Sequence, residues 1–243
     1  MTSPDSAPAA PKYTPFVTDV TRLGRVLFSP GEVFGELQER PTFWMPWLVI
    51  SIVYTVLQFL QQPFQARVRE IMLEAANRPV PPQSSLAAMI GLVTSPLTVL
   101  VLCALSAAVM FGLMAGLGGE TTYKKMLTVV IFTWPLVLLQ QALTVVVLTI
   151  RGVGSINTAM DMMVSTGVDL LLPADTTVGY FTRFVLAGIG PVQIWSLAIT
   201  AVGLMVLGKA GKTQAWVAAT VYYVVVLVCL SALGAFGMKF MGG

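Results

Sequence analysis

Few residues in this 243-residue chain can do chemistry, and their types restrict what that chemistry is. Ser51, Ser106 and Ser196 are candidate nucleophiles, but a serine needs a neighbouring base to take its proton, and none is visible near them. The sequence contains no histidine at all. That removes Ser-His and Cys-His dyads, the HExxH zinc site and a haem held by an axial histidine. Cys103 and Cys229 each lie inside an apolar run; two thiols alone make no zinc site, and they read as buried small hydrophobes, not as a disulfide framework. No cofactor, no metal and no catalytic residue is expected, and an enzyme acting on lipid is the weakest of the available readings.

What remains inside the apolar runs is weakly polar: Tyr54 and Gln58 in the first, Gln140 and Gln141 in the third, Gln193 in the fourth. Amides there are expected to make interhelical hydrogen bonds worth about 0.6 kcal/mol each. The alternative is that they line a path for a small or apolar solute, as in a channel or permease. A proton-driven pump is disfavoured, because its relay needs an ionisable group within the membrane and no run carries one.

The elements that hold these residues follow from composition. Hydrophobic residues make up 56% of the chain and charged residues 10%, where a soluble domain has about a quarter charged. Most of the surface must therefore face lipid. A net charge of +3, dispersed along the chain, forms no stripe for nucleic acid. Five apolar runs without Asp, Glu, Lys or Arg cover residues 43–60, 86–117, 126–150, 184–207 and 215–238. A span needs about twenty residues, so the fold class expected is all-α, a polytopic membrane protein with five transmembrane helices. Ser95-Pro96 offers a bend or fresh start in the overlong second run; Pro46, Pro135 and Pro191 mark kinks or helix starts in others.

Residues 1–15, with four prolines, read as a flexible tail without the basic start and apolar core of a secretory signal, so the first membrane helix is expected to drive insertion. Residues 16–42 read as two amphipathic helices on the cytoplasmic side, ahead of a membrane domain at 43–240. In the first, Phe16, Val20, Leu23 and Leu27 recur at helical spacing, with Arg22 and Arg25 able to meet anionic lipid or cap the bundle. In the second, Ser29 is a candidate cap, Pro30 suits the first position, Glu32 can close a capping box, and Val33, Phe34 and Leu37 share a face. Stripes at Phe64, Val68, Ile71, Met72 and Ala75, and at Ile156, Met160, Met163 and Val164, predict external interfacial helices.

Two further patterns concern contact. Ala104, Ala108, Gly112 and Gly116 form a four-residue repeat of small side chains, expected to admit a neighbouring helix, of the same chain first and of a second copy otherwise, with Gly234 and Gly237 marking the fifth run as the neighbour. In Gly118-Gly119-Glu120-Thr121-Thr122-Tyr123-Lys124-Lys125, two glycines end one helix and basic anchors begin the next. Lysine pairs in the two short loops place those loops and the N-terminus in the cytoplasm, with the C-terminus outside; Trp44, Trp47 and Trp216 then fall at one interface and Tyr180 at the other.

Ser29-Pro30 followed by Phe34, Gly118-Gly119 with Thr122-Tyr123-Lys124 before a span carrying Pro135, and Ile194-Trp195 leading to Gly203-Leu204 together resemble the Yip1-domain family over about residues 22–240. The resemblance implies a five-helix domain with a cytoplasmic N-terminus. Eukaryotic members are associated with Rab GTPases, vesicle trafficking and membrane shaping; without their long acidic, aromatic N-terminal region, this chain resembles the bacterial type, in the inner membrane. By elimination the expected site is the cytoplasmic face: Arg22, Arg25, Ser29, Pro30, Phe34, Gly119, Thr122, Tyr123, Lys124 and Lys125. The expected role is a non-enzymatic scaffold whose partners are membrane lipids and another membrane protein or a second copy.

The topology is open to direct measurement. With single cysteines at Thr122, Thr213 and Ser165 in a chain lacking Cys103 and Cys229, an impermeant thiol reagent on intact cells is expected to label only position 165. Labelling at 122 with none at 165 would reverse the orientation.

Overall fold

A computed structural model describes residues 15–75, 77, 79, 85–172 and 179–242; the expected N-terminal tail lies outside them apart from Pro15. The elements, in order, are α1 (Pro15–Arg25), α2 (Pro30–Leu37), α3 (Trp44–Ala75), α4 (Ser85–Gly116), α5 (Tyr123–Arg151), α6 (Tyr180–Gly188), α7 (Pro191–Val206) and α8 (Lys212–Gly242), with three 3₁₀ turns between α5 and α6. Among the described residues there is no strand. Four helices, α3, α4, α5 and α8, are long and apolar enough to cross a membrane, and α6 with α7 makes a fifth crossing if the pair is one broken span.

The main core is shared by α2, α4, α5, α7 and the start of α8. On α4 the buried positions are Val99, Cys103, Ala107, Met110 and Met114, a three-four spacing that turns one narrow face inward. They meet Met126, Val129, Val130 and Phe132 of α5 and Ile199 and Leu204 of α7, while Ala215, Ala218 and Ala219 let α8 close in.

Several expectations fail here, each for a visible reason. The helix expected on the outer surface after the first run is instead the continuation of α3, which runs 32 residues through Pro63. Its stripe is buried all the same: Phe64 and Val68 pack with Leu148 of α5 and Ile156, and this cluster holds the extension upright. Nor does α4 break at Pro96; its carbonyl receives the Trp47 Nε1 hydrogen at 3.3 Å and Ser95 pairs with Thr55, so α3 clasps the helix at its proline. The second external stripe forms short turns, Val153–Ser155 and Ala159–Met162, in place of an amphipathic helix. Cys229 is exposed on α8, in contrast to the buried Cys103. Ser165 is half-buried, so the exposed Ser155 is the better outside reporter for thiol labelling.

The small-residue strip of α4 does not receive a helix of the same chain. Ala108, Gly112 and Gly116 are exposed, and a Cβ on Gly112 or Gly116 would meet nothing within 4 Å. Met110 and Met114, two residues off the strip and so on the opposite side of the helix, fill the interior instead. Only Ala104 is engaged, its carbonyl accepting the Tyr123 hydroxyl at 2.9 Å. Gly234 of α8 approaches Phe184 of α6, with 3.2 Å from its would-be Cβ to the ring.

The fourth run is broken. Pro191 takes the first position of α7, where its missing N–H costs nothing, and Gly190 caps it in extended conformation. The axes of α6 and α7 bend by 59° at this point. Glycine is required at 190, where a Cβ would lie 2.7 Å from the Thr166 carbonyl, whereas one on Gly188 would lie 2.1 Å from Leu227 Cδ1 and displace that side chain.

A close approach that matters more joins α2 to α7. A Cβ on Gly203 would sit 2.8 Å from Val129 Cγ1 and 3.0 Å from Phe34 Cζ. Gly203→Leu is therefore expected to lower stability in detergent by about 1–3 kcal/mol through overpacking, whereas Gly112→Leu, into open space, is expected to leave the thermal midpoint unchanged. Equal midpoints for the two variants would contradict the packing described.

Candidate functional site

The ten residues expected at one face do converge on one end of the bundle, but they do so in different states. The hairpin of α1 and α2 lies against α7, with Val33, Phe34 and Leu37 fully buried, as their spacing predicts. Phe34 meets Phe132 edge to face with centroids 6.3 Å apart. Two hydrogen bonds pin the hairpin lengthwise: Trp195 Nε1 donates to the Leu27 carbonyl at 3.0 Å, and Gln38 Nε2 donates to the Val206 carbonyl at 2.8 Å. Residues 195 to 206 rise about 16 Å, so the hairpin is fixed along most of α7. Gln38 also satisfies one of the orphan carbonyls at that helix's end.

The buried face of α1 is Asp19, Arg22, Leu23 and Val26, rotated from the expected stripe; Val20 is exposed. The rotation brings charges together. Arg22 binds Asp19 at 3.3 Å and Glu36 at 2.9 Å, and Arg25 binds Glu36 at 2.8 Å and Glu32 at 3.3 Å. Both arginines are thus neutralised within the hairpin and are not the free cations that lipid headgroups would meet. Glu36 is held below its ordinary 4.5, because the hydrogen bond from Arg22 outweighs the opposing effect of burial and Arg25 adds a second bond. Glu32 is drawn to Arg25, and the capping box expected with Ser29 does not form: Ser29 makes no side-chain cap bond, while Pro30 does start the helix. Phe28, in the turn, is 86% exposed.

The loop after α4 closes it as the glycine pair predicts. Gly118 has φ +75°, its N–H bonds to the Ala115 carbonyl, and the Gly119 N–H bonds to the Met114 carbonyl at 2.8 Å, which is a Schellman closure. A Cβ on Gly119 would lie 2.6 Å from Met114 Cε and 3.1 Å from the Met114 carbonyl oxygen, so a side chain there requires that methionine to move. Thr122 caps α5 by accepting the Lys125 N–H. Gln214 of α8 donates to the Leu117 carbonyl at 3.1 Å, and Thr128 of α5 shares its one hydroxyl hydrogen between the Lys124 carbonyl of its own helix at 3.0 Å and the Thr42 carbonyl at 3.3 Å. These bonds lock four chain-distant segments into one platform. Its unneutralised cations include the exposed Lys124, Lys209 and Lys212 and the half-buried Lys125. Lys209 and Lys212 entered the sequence reading only as topology signals, and Gln38 and Gln214 not at all, because a capping glutamine has no spacing of its own to betray it.

The buried amides behave differently from expectation. Gln58 donates to Tyr54 on its own helix at 2.8 Å, so that pair is not interhelical. Gln140 donates to the Val164 carbonyl at 3.0 Å and accepts from Thr166 at 3.1 Å, binding a loop and not a helix. Gln193 has a buried amide oxygen with no donor among the described residues.

A bundle of long apolar helices with a docked helical hairpin at one end is a multi-pass α-helical membrane protein. A model of the Yip1 domain matches residues 24–234, and the chain belongs to the Yip1-domain family. It is 24% identical over 220 residues to the membrane protein YknW of Bacillus subtilis (strain 168), covering 87% of this chain and 89% of that one. No solved structure matches. The motif residues behind the resemblance meet in space: Phe34 packs on Gly203, and Trp195 holds the carbonyl just ahead of the α1–α2 turn.

The charge cluster has a pH signature. A carboxylate depressed in the folded state adds stability that is complete above its unfolded value, about 4.5, and is lost as the pH falls through the folded value. Hydrogen-exchange protection of residues 18–37 is expected to be flat from pH 8 to 6 and to fall below about 4.5, and Glu36→Gln is expected to abolish that acid dependence. Phe34→Ala is expected to lower protection at every pH, by about 3–5 kcal/mol of lost packing. An acid response unchanged in Glu36→Gln would detach it from this cluster.

Proposed function

We propose that this protein is a non-enzymatic scaffold of the bacterial inner membrane, with the hairpin end in the cytoplasm and the C-terminus outside, and that it presents that end to another membrane protein or to anionic lipid. The observation that carries the reading is the locked platform: α1, α2 and the two short loops are tied together by side-chain to backbone bonds at Val206, Leu27, Leu117 and Thr42. A fixed surface of lysines suits an acidic partner, because charges held in place attract without a further ordering cost. Arg22 and Arg25 build this surface and do not contact the partner, their charge being used internally. Tyr123, 41% exposed and anchored through its hydroxyl, adds an aromatic contact beside Lys124.

A photo-crosslinking amino acid at Lys124, Lys212 or Glu39 in living cells is expected to capture a discrete protein or acidic lipid, whereas the same probe at the lipid-facing Val146 is expected to capture bulk lipid alone. Replacing Lys124, Lys209 and Lys212 by Gln is expected to reduce capture about tenfold without disturbing insertion. Solute flux through the purified protein in liposomes, with no capture at the platform, would favour the permease in its place.

A further inference from the structure

We infer that the end of α7 away from the platform holds a binding site for an uncharged glycerolipid of the diacylglycerol class. A cavity of about 440 Å³, within the range of small-molecule sites, lies between α5, the α6–α7 break and α8. The lining is apolar at Phe184, Leu227 and Leu230. Leu230 is 57% exposed, so the cavity meets the surface on the lipid-facing side of α8. Polar groups, Gln140, Gln193, Tyr223 and Ser231, are interspersed in the same lining.

One of those groups lacks a partner. The Gln193 amide oxygen is buried without a donor among the described residues. Such a group in an apolar setting costs about 1–3 kcal/mol unless a ligand or water satisfies it. Ser231, 3% exposed, lines the same cavity and brings a hydroxyl to it. By contrast, Gln140 is held at both ends of its amide, and Tyr223 donates to the Gly188 carbonyl, so they shape the site without demanding a ligand. The N-terminus of α7 opens beside Gln193, where only the Val192 and Gln193 N–H groups have no intrahelical acceptor, since Pro191 has no N–H and that of Ile194 binds the Gly190 carbonyl.

The lining fixes the ligand class. No Lys, Arg, Asp or Glu lines the cavity, so a phosphate or an ammonium would lose its hydration without a counter-charge. A group with both a donor and acceptors is required: a hydroxyl to donate to Gln193 and accept from Ser231, and ester carbonyls for the free N–H groups of α7. Acyl chains then follow Phe184 and Leu230 into the membrane. Diacylglycerol is the membrane lipid chemistry that combines one hydroxyl, two esters and no charge.

The test uses the full chain in phosphatidylcholine nanodiscs with two photoreactive lipids, a diacylglycerol and a phosphatidylglycerol carrying the same diazirine on one acyl chain. Diacylglycerol adducts are expected to concentrate in residues 184–193 and 223–231 and to be competed by unlabelled diacylglycerol, while phosphatidylglycerol adducts spread over the exposed spans. Ser231→Leu, which fills the cavity, is expected to lower the diacylglycerol adducts at least fivefold and leave the others unchanged. Gln193→Met keeps the volume, removes the amide and is expected to lower them about fivefold, so it answers if Ser231→Leu does not fold. Matching maps for the two lipids, or adducts insensitive to both substitutions, would overturn the assignment. Neither result bears on capture at the platform.

Discussion

Backbone N–H and C=O groups in hydrocarbon have no water to turn to, and the structure follows from where this requirement is met inside helices and where it is met some other way. The helices α3, α4, α5 and α8 run continuously for about 30 residues each, losing only the single ladder bond that Pro63, Pro96 and Pro135, without an N–H, cannot donate. At residues 188–190 the ladder stops, and donors from elsewhere take over: the Val168 backbone N–H donates to the Ile189 carbonyl and the Tyr223 hydroxyl to that of Gly188. The loop carrying Val168 is itself held by Gln140. One interruption therefore recruits α5, α8 and the loop between α5 and α6 to a single place.

The same logic explains the platform. Helix ends expose carbonyls, and three of the side chains that organise this end act on carbonyls at or near such ends: Gln38 at Val206, Gln214 at Leu117 and Trp195 at Leu27. In a membrane protein lipid competes on equal terms for apolar side chains, so packing and hydrogen bonds decide which elements stay together. Phe34 seated on Gly203 supplies the packing. The ion pairs of Arg25, which are exposed, add little by themselves, and their structural effect is to use up charge that would otherwise be offered outward.

Much of this was legible in the residues and some was not. The face of Val33, Phe34 and Leu37, the glycine closure at 118–119, the start of α7 at Pro191 and the apolar spans are local patterns, and local patterns survive folding. The continuation of α3 past residue 60 was obscured because Arg67, Arg69, Glu70 and Glu74 end the apolar run although the helix does not end with it. The strip from Ala104 to Gly116 misled because small residues permit close contact without requiring it, and the bulk of Met110 and Met114 turned the helix the other way. The fates of Arg22 and Arg25 depended on Glu36, fourteen and eleven residues on, a pairing that no periodicity announces.

The placement of α7 has a mechanical consequence. Its first turn carries Gln193 at the cavity and its last residue receives Gln38 at the platform, and its sixteen residues form one uninterrupted helix. Such a helix is a strut about 24 Å long, nearly incompressible along its axis. The bonded break at residues 188–190 holds its lower end, and the Phe34 contact at Gly203 resists sliding above it. A tilt imposed at one end must therefore be carried to the other, and the hairpin, pinned at residues 195 and 206, turns with the strut as one body.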